Sequence, residues 1–282
     1  MSSGADHLGI DAFKDGRLEH SSMTGPLSRR HFVLSAAGLG IVSIAVLRRP
    51  SLRVVPPPTL KDGDARLHAR PAIPRASLPV GRHQLGLEKA RDAELYIPES
   101  YRANGAAKLI VALHGAGGSG ARIGARLQSL ADGRNLVLLA PDSRGATWDA
   151  VRGDFGVDVA FIDRALAETF RNCVIATDSV VLAGFSDGAT YALSLGLANG
   201  DLFGRVIAYS PGFVIPAPRV GKPRLFVSHG TRDAILPIDR ASRRIVPALR
   251  ASGYEVDYRE FDGEHEMPPD VKDASMEWLY NK

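Results

Sequence analysis

Val180-Val181-Leu182-Ala183-Gly184-Phe185-Ser186-Asp187-Gly188-Ala189 reads as a β-strand, a G-x-S-x-G turn and the start of a helix built on small residues. Such a turn is so tight that its serine takes a strained backbone. Glycines two positions before and after keep Cβ atoms from colliding with strand and helix. The hydroxyl of Ser186 is then expected to stand exposed above the sheet. The five-residue pattern alone is weak, and its strand-to-helix setting gives it weight.

Outward from this turn, short β-rich runs alternate with helical patterns, the signature of a mainly parallel sheet with helices on both faces. Strands are expected at 93–97, 109–113, 136–140, 180–183, 205–209, 224–228 and 256–261, with helices at about 121–131, 159–170, 188–197, 239–251 and 271–280. In such a sheet ligands sit beyond the carboxyl ends of the strands, so the residues just after each strand are the ones to search.

A serine hydroxyl needs a base to take its proton. Of eight histidines, only His114, His229 and His265 lie within the strand-bearing region, and His265 alone follows the acid candidate, in Asp262-Gly263-Glu264-His265-Glu266. That acid is Asp233, in Ser228-His229-Gly230-Thr231-Arg232-Asp233 directly after a strand. It would hold one imidazole nitrogen so that the other faces Ser186. Asp239, Asp257, Glu260 and Asp262 compete; Asp239 is expected to cap the next helix and the others lie in or at the end of the last strand.

Leu113-His114-Gly115-Ala116-Gly117-Gly118-Ser119-Gly120 follows the second strand and offers backbone donors. The N–H groups of Ala116 and Asp187 are the expected oxyanion hole. The glycine loop lacks the Lys-Ser/Thr of a P-loop and a G-x-G-x-x-G with a correctly placed acid, which argues against nucleotide binding.

These pieces, in this order over about 109–282, resemble the α/β-hydrolase superfamily, and within it the serine esterases of the phospholipase/carboxylesterase and polyhydroxybutyrate depolymerase or feruloyl esterase type. Similar H-G-x-G-G, G-x-S-x-G and H-G-x-x-D motifs stand here as 114–118, 184–188 and 229–233. The resemblance implies an α/β-hydrolase fold without a large cap domain and a Ser186-His265-Asp233 triad. Asp187 departs from the glutamine that carboxylesterases of this type often carry. Only its backbone serves the oxyanion, so catalysis is untouched while substrate preference is open. The loop from Ser143 to Asp158 carries Trp148, one of two tryptophans, expected to border the substrate pocket unless it merely packs the loop.

Composition fits this reading: 282 residues, 45% hydrophobic and 23% charged, exclude disorder or collagen-like repeats for most of the chain. The net charge of +4 is scattered, a poor footprint for nucleic acid. A lone cysteine, Cys173, allows no intramolecular disulfide and no paired-cysteine zinc motif. Ser28-Arg29-Arg30-His31-Phe32 runs into an uncharged stretch ending at Leu47, so 1–47 looks like a twin-arginine export signal. Cleavage near Ser43-Ile44-Ala45 and an uncleaved membrane anchor both fit. Prolines among charges mark 48–80 as a stiff linker, leaving 81–282 as the hydrolase domain.

The expectation is an exported enzyme, periplasmic or extracellular, that cleaves small or polymeric carboxylic esters. It needs no metal and no organic cofactor, and its one protein partner is the twin-arginine export machinery. Amide hydrolysis by the same triad, and an idle α/β-hydrolase domain that only binds, are the alternatives.

Overall fold

The computed structural model describes residues 64–103 and 107–281. Its eight strands are β1 (Gly81–Gln84), β2 (Ala93–Ile97), β3 (Ala107–Leu113), β4 (Leu136–Pro141), β5 (Ile175–Phe185), β6 (Arg205–Tyr209), β7 (Arg224–Gly230) and β8 (Val256–Phe261). They form one sheet in the order β1-β2-β4-β3-β5-β6-β7-β8. The β1–β2 and β2–β4 pairs are antiparallel, and every other pair is parallel. This is the α/β-hydrolase architecture expected from the alternation of strand and helix patterns.

The helices are α1 (Gly120–Ala131), α2 (Asp149–Arg152), α3 (Val157–Asn172), α4 (Asp187–Ala198), α5 (Ser242–Ala251) and α6 (Pro269–Tyr280). Strand side chains alternate between two faces, so the apolar run of β3 feeds two cores at once. Leu109, Val111 and Leu113 join the layer built by α3, α4 and α5, while Ile110 and Ala112 join that of α1 and α6. Helix α1 presents Ile123, Leu127, Leu130 and Ala131 on one stripe, and Ser119 caps it by accepting the N–H of Arg122. Helix α4 is buried from Gly188 to Ala198, as a helix with almost no charged residue must be.

The boundaries differ from expectation where local signals are weak. Strand β1 reads GRHQ and has no apolar residue; it exists because it pairs with β2 at the sheet edge. Asp239 does not cap α5. It lies in a 3-10 turn at Ile238–Arg240 and pairs with Arg243 at 2.8 Å, and α5 begins only at Ser242.

The linker expected over 48–80 is corrected for its described part. Ala65 and Leu67 are buried in the main core, and the Asn199 side chain receives the Leu67 N–H at 2.9 Å and donates to the Ala65 carbonyl at 2.7 Å. Arg66 and Arg70 both reach Asp201. This stretch is extended, but it is docked on the hydrolase body. The expected export signal and residues 48–63 lie outside the described residues.

Candidate active site

The carboxyl ends of β3, β5, β7 and β8 carry the glycine loop, Ser186, Asp233 and His265 respectively. At the β5–α4 turn Ser186 has φ 58° and ψ −122°, a left-handed conformation uncommon for a residue with a side chain. Its N–H donates to the Tyr209 carbonyl at 2.9 Å, which holds the turn against β6. The flanking glycines are required by close approach. A Cβ on Gly184 would lie 2.1 Å from the Gly188 carbonyl oxygen, and one on Gly188 would lie 2.3 Å from that of Leu113.

The three residues read from the sequence meet. His265 Nε2 lies 2.8 Å from Ser186 Oγ, and His265 Nδ1 lies 2.6 Å from Asp233 Oδ2. An ionised carboxylate only accepts, so the Nδ1 proton belongs to this bond and Nε2 is left as acceptor for the serine proton. The other Asp233 oxygen accepts the N–H groups of Ile235 and Leu236 at 2.9 and 2.8 Å. Burial alone would raise the Asp233 carboxyl. The Leu236 N–H and the neighbouring His265 and His229 outweigh it and hold the group below the usual aspartate range. The competing acids are taken up by arginines: Asp257 by Arg259, Glu260 by Arg243 and Asp262 by Arg232.

The glycine loop lies directly over Ser186, since a Cβ on Gly115 would come 3.1 Å from Ser186 Cβ. Within the loop, Gly118 donates to Gly115 and Gly117 donates to Ala146, at 3.0 and 2.7 Å. The N–H of Ala116 has no acceptor among the described residues, and the N–H of Asp187 opens α4, where a helix supplies none. The Asp187 carboxylate is turned to Thr147, whose hydroxyl donates at 2.6 Å.

Trp148 is corrected. Its side chain is fully buried, so it cannot border the substrate. The indole N–H donates to the His114 carbonyl at 2.8 Å, and the ring sits between His114 and Tyr191 with centroids 5.0 and 5.1 Å away. Sequence pattern alone could not separate these roles, because the partners come from two distant segments, around His114 and Tyr191.

Two histidines read only as motif neighbours have defined work. His114 Nδ1 bonds the Gly115 carbonyl at 2.8 Å and Nε2 accepts the Ser143 N–H at 3.0 Å, fixing the neutral ring under the glycine loop. His229 Nε2 bonds the Leu236 carbonyl at 2.7 Å and lies 3.2 Å from Asp233 Oδ2, while Nδ1 lies 2.8 Å from the Ser242 hydroxyl. Burial lowers the pKa of both. Behind Trp148, Asp149 and Asp158 exchange bonds: each carboxylate accepts the other's N–H, at 2.9 and 2.7 Å. Tyr191 donates to Asp149 at 2.9 Å, and burial pushes the Asp158 carboxyl up to about 6.

A pocket of about 200 Å³ opens beside the serine, lined by the glycine loop, Arg122, Ile123, Arg126 and Phe185. The Phe185 ring packs on His265 at 4.8 Å.

The family model for phospholipase/carboxylesterase matches residues 158–280, a segment that includes Ser186, Asp233 and His265. The probable feruloyl esterase C of Aspergillus niger is 29% identical over 172 residues, 58% of this chain and 61% of that protein. Feruloyl esterase C of Emericella nidulans is 27% identical over 158 residues, 53% of this chain and 57% of that protein. The chain thus spans about three fifths of the length of these curated relatives. Among solved structures, a phospholipase/carboxylesterase from Dyadobacter fermentans superposes with a TM-score of 0.55 over 73% of this chain and 100% of that one, at 20% identity. A thermophilic esterase from Thermogutta terrifontis gives 0.53 over 76% and 93%, at 18% identity. Sheet order and the superposition on these structures give this chain the α/β-hydrolase fold, and over residues 158–280 it is similar to the phospholipase/carboxylesterase family.

Proposed function

We propose that the chain is a serine hydrolase of carboxylic esters that works through an acyl-enzyme. The observation that carries this reading is the unbroken relay from Ser186 Oγ through His265 to Asp233, at 2.8 and 2.6 Å, beneath a loop with backbone donors. His265 Nε2 takes the hydroxyl proton as Ser186 Oγ attacks the ester carbonyl, and Asp233 stabilises the imidazolium. The N–H groups of Ala116 and Asp187 receive the charge that develops on the carbonyl oxygen, each worth about 3 kcal/mol in the transition state. The imidazolium returns its proton to the leaving alcohol, and the same residues then activate water to release the acid.

The names of the relatives favour carboxylic esters, feruloyl esters among them. The test is hydrolysis of short- and long-chain nitrophenyl esters and of a matched anilide by the full chain and by Ser186→Ala. Ester turnover that falls by several orders of magnitude in the variant supports the reading. Faster anilide than ester cleavage would replace it with an amidase, and equal activity of Ser186→Ala would overturn it.

We propose in addition that the protein is exported by the twin-arginine route, on the strength of Arg29-Arg30 and the uncharged stretch that follows. Fractionation of cells expressing the wild type and an Arg29→Lys, Arg30→Lys variant tests it. Equal export of both would contradict it.

A further inference from the structure

The pocket beside Ser186 is lined by two arginines that have no acidic partner among the described residues. Arg122 and Arg126 lie one turn apart on α1 and line the same 200 Å³ space as Gly115, Ala116 and Phe185. Like charges at this spacing disfavour a helix, and Arg122, in the first turn, also opposes the helix dipole. The first turn of α1 contains no acid to offset them. Among the described residues neither guanidinium makes an ion pair or a side-chain hydrogen bond.

The acids nearest α1 are already engaged. Glu94 is paired with Arg82, Asp142 accepts the Gly120 N–H at 2.5 Å, and Asp132 accepts the Tyr96 hydroxyl at 2.6 Å. Arg126 lies over the Phe185 ring, 5.0 Å from its centroid, and that ring's centroid is 4.8 Å from that of His265. An unbroken surface therefore runs from the catalytic histidine, across an aromatic ring, to a guanidinium. Ile123 adds an apolar wall.

We propose that this pocket binds the part of the substrate that bears a carboxylate, so that Arg122 and Arg126 select esters carrying a negative charge a few bonds from the scissile carbonyl. The apolar spacer would lie on Ile123 and Phe185 and the carboxylate between the two guanidinium groups, where charge-assisted hydrogen bonds form. This inference rests on the esterase reading above and adds the substrate class.

The experiment measures kcat/KM of the full chain on two matched pairs, nitrophenyl hemiglutarate against nitrophenyl valerate and carboxyphenyl butyrate against phenyl butyrate. The first pair places the carboxylate on the acyl side and the second on the alcohol side. Wild type should prefer the charged member of one pair. In Arg122→Gln/Arg126→Gln that charged-to-neutral ratio should fall roughly tenfold, and in wild type it should weaken as salt rises, because the guanidinium groups face solvent. Arg75→Gln, which removes one positive charge outside this pocket, should leave the ratio alone. A wild-type ratio near one for both pairs, or a ratio that the double substitution does not move, overturns the proposal while the neutral esters still report the esterase. Failure of wild type on all four compounds would instead overturn the esterase reading.

Discussion

Replacing Trp148 by phenylalanine separates a side chain that supports the oxyanion loop from one that touches substrate. The indole N–H donates to the buried His114 carbonyl at 2.8 Å, and the ring fills the space between His114 and Tyr191. Phenylalanine lacks the donor and part of the volume. Losing a buried bond costs about 1–3 kcal/mol, and the unfilled space adds about 1 kcal/mol, so a destabilisation of about 2–4 kcal/mol is expected. For a domain of this size that lowers Tm by roughly 5–15 °C. Because His114 carries Gly115 and the loop over Ser186, kcat should fall about tenfold, while the ratio of short- to long-chain ester turnover stays within about twofold of wild type. Thermal unfolding and steady-state kinetics on two nitrophenyl esters measure both effects. A variant that keeps its stability but shifts the chain-length ratio several-fold would refute the buried, supporting role.

Other substitutions probe the remaining parts. Asp233→Asn should keep the fold but lower kcat by roughly 10³–10⁴, because an amide no longer fixes the imidazole tautomer; a loss under tenfold would point to another acid. Gly188→Ala should abolish soluble folded protein or cost several kcal/mol, since its Cβ would meet the Leu113 carbonyl oxygen at 2.3 Å; a folded, active variant seen by circular dichroism would contradict the tight elbow. Burial pushes the Asp158 carboxyl from 3.8 up to about 6, so the folded state binds this proton more tightly than the unfolded state. Its contribution to stability is therefore full below about pH 3.8 and lost as pH rises through about 6. The stability difference between wild type and Asp158→Asn should change across that window in urea titrations; a flat difference would contradict it.

The sheet and the meeting of Ser186, Asp233 and His265 are legible because their signals are local. Runs such as Leu109 to Leu113 and Val180 to Ala183 can only be strands buried on both faces, and His265 is singled out by chain order after Asp233. What escaped depends on partners far away in sequence. Trp148 reads as a loop aromatic in the sequence, and only the fold encloses it between His114 and Tyr191. Residues 64–80 looked like a linker because the groups that dock them are single polar side chains, Asn199, Asp201 and Asp163, 94 to 135 positions away. Strand β1 is pinned by pairing with β2, and its own side chains give no alternation of apolar and polar residues. His229 was visible as part of a motif, but its place beside Asp233 required the β7–α5 loop to fold back through the Leu236 carbonyl.

The proposed mechanism turns on attack by Ser186 Oγ. Incubation of the full chain with a serine-directed fluorophosphonate, followed by peptide mass spectrometry, tests it most directly. One label per chain is expected on the peptide containing Ser186, none in Ser186→Ala, and a labelling rate lower by orders of magnitude in His265→Ala. An unlabelled wild type, or a label on another residue, would contradict it.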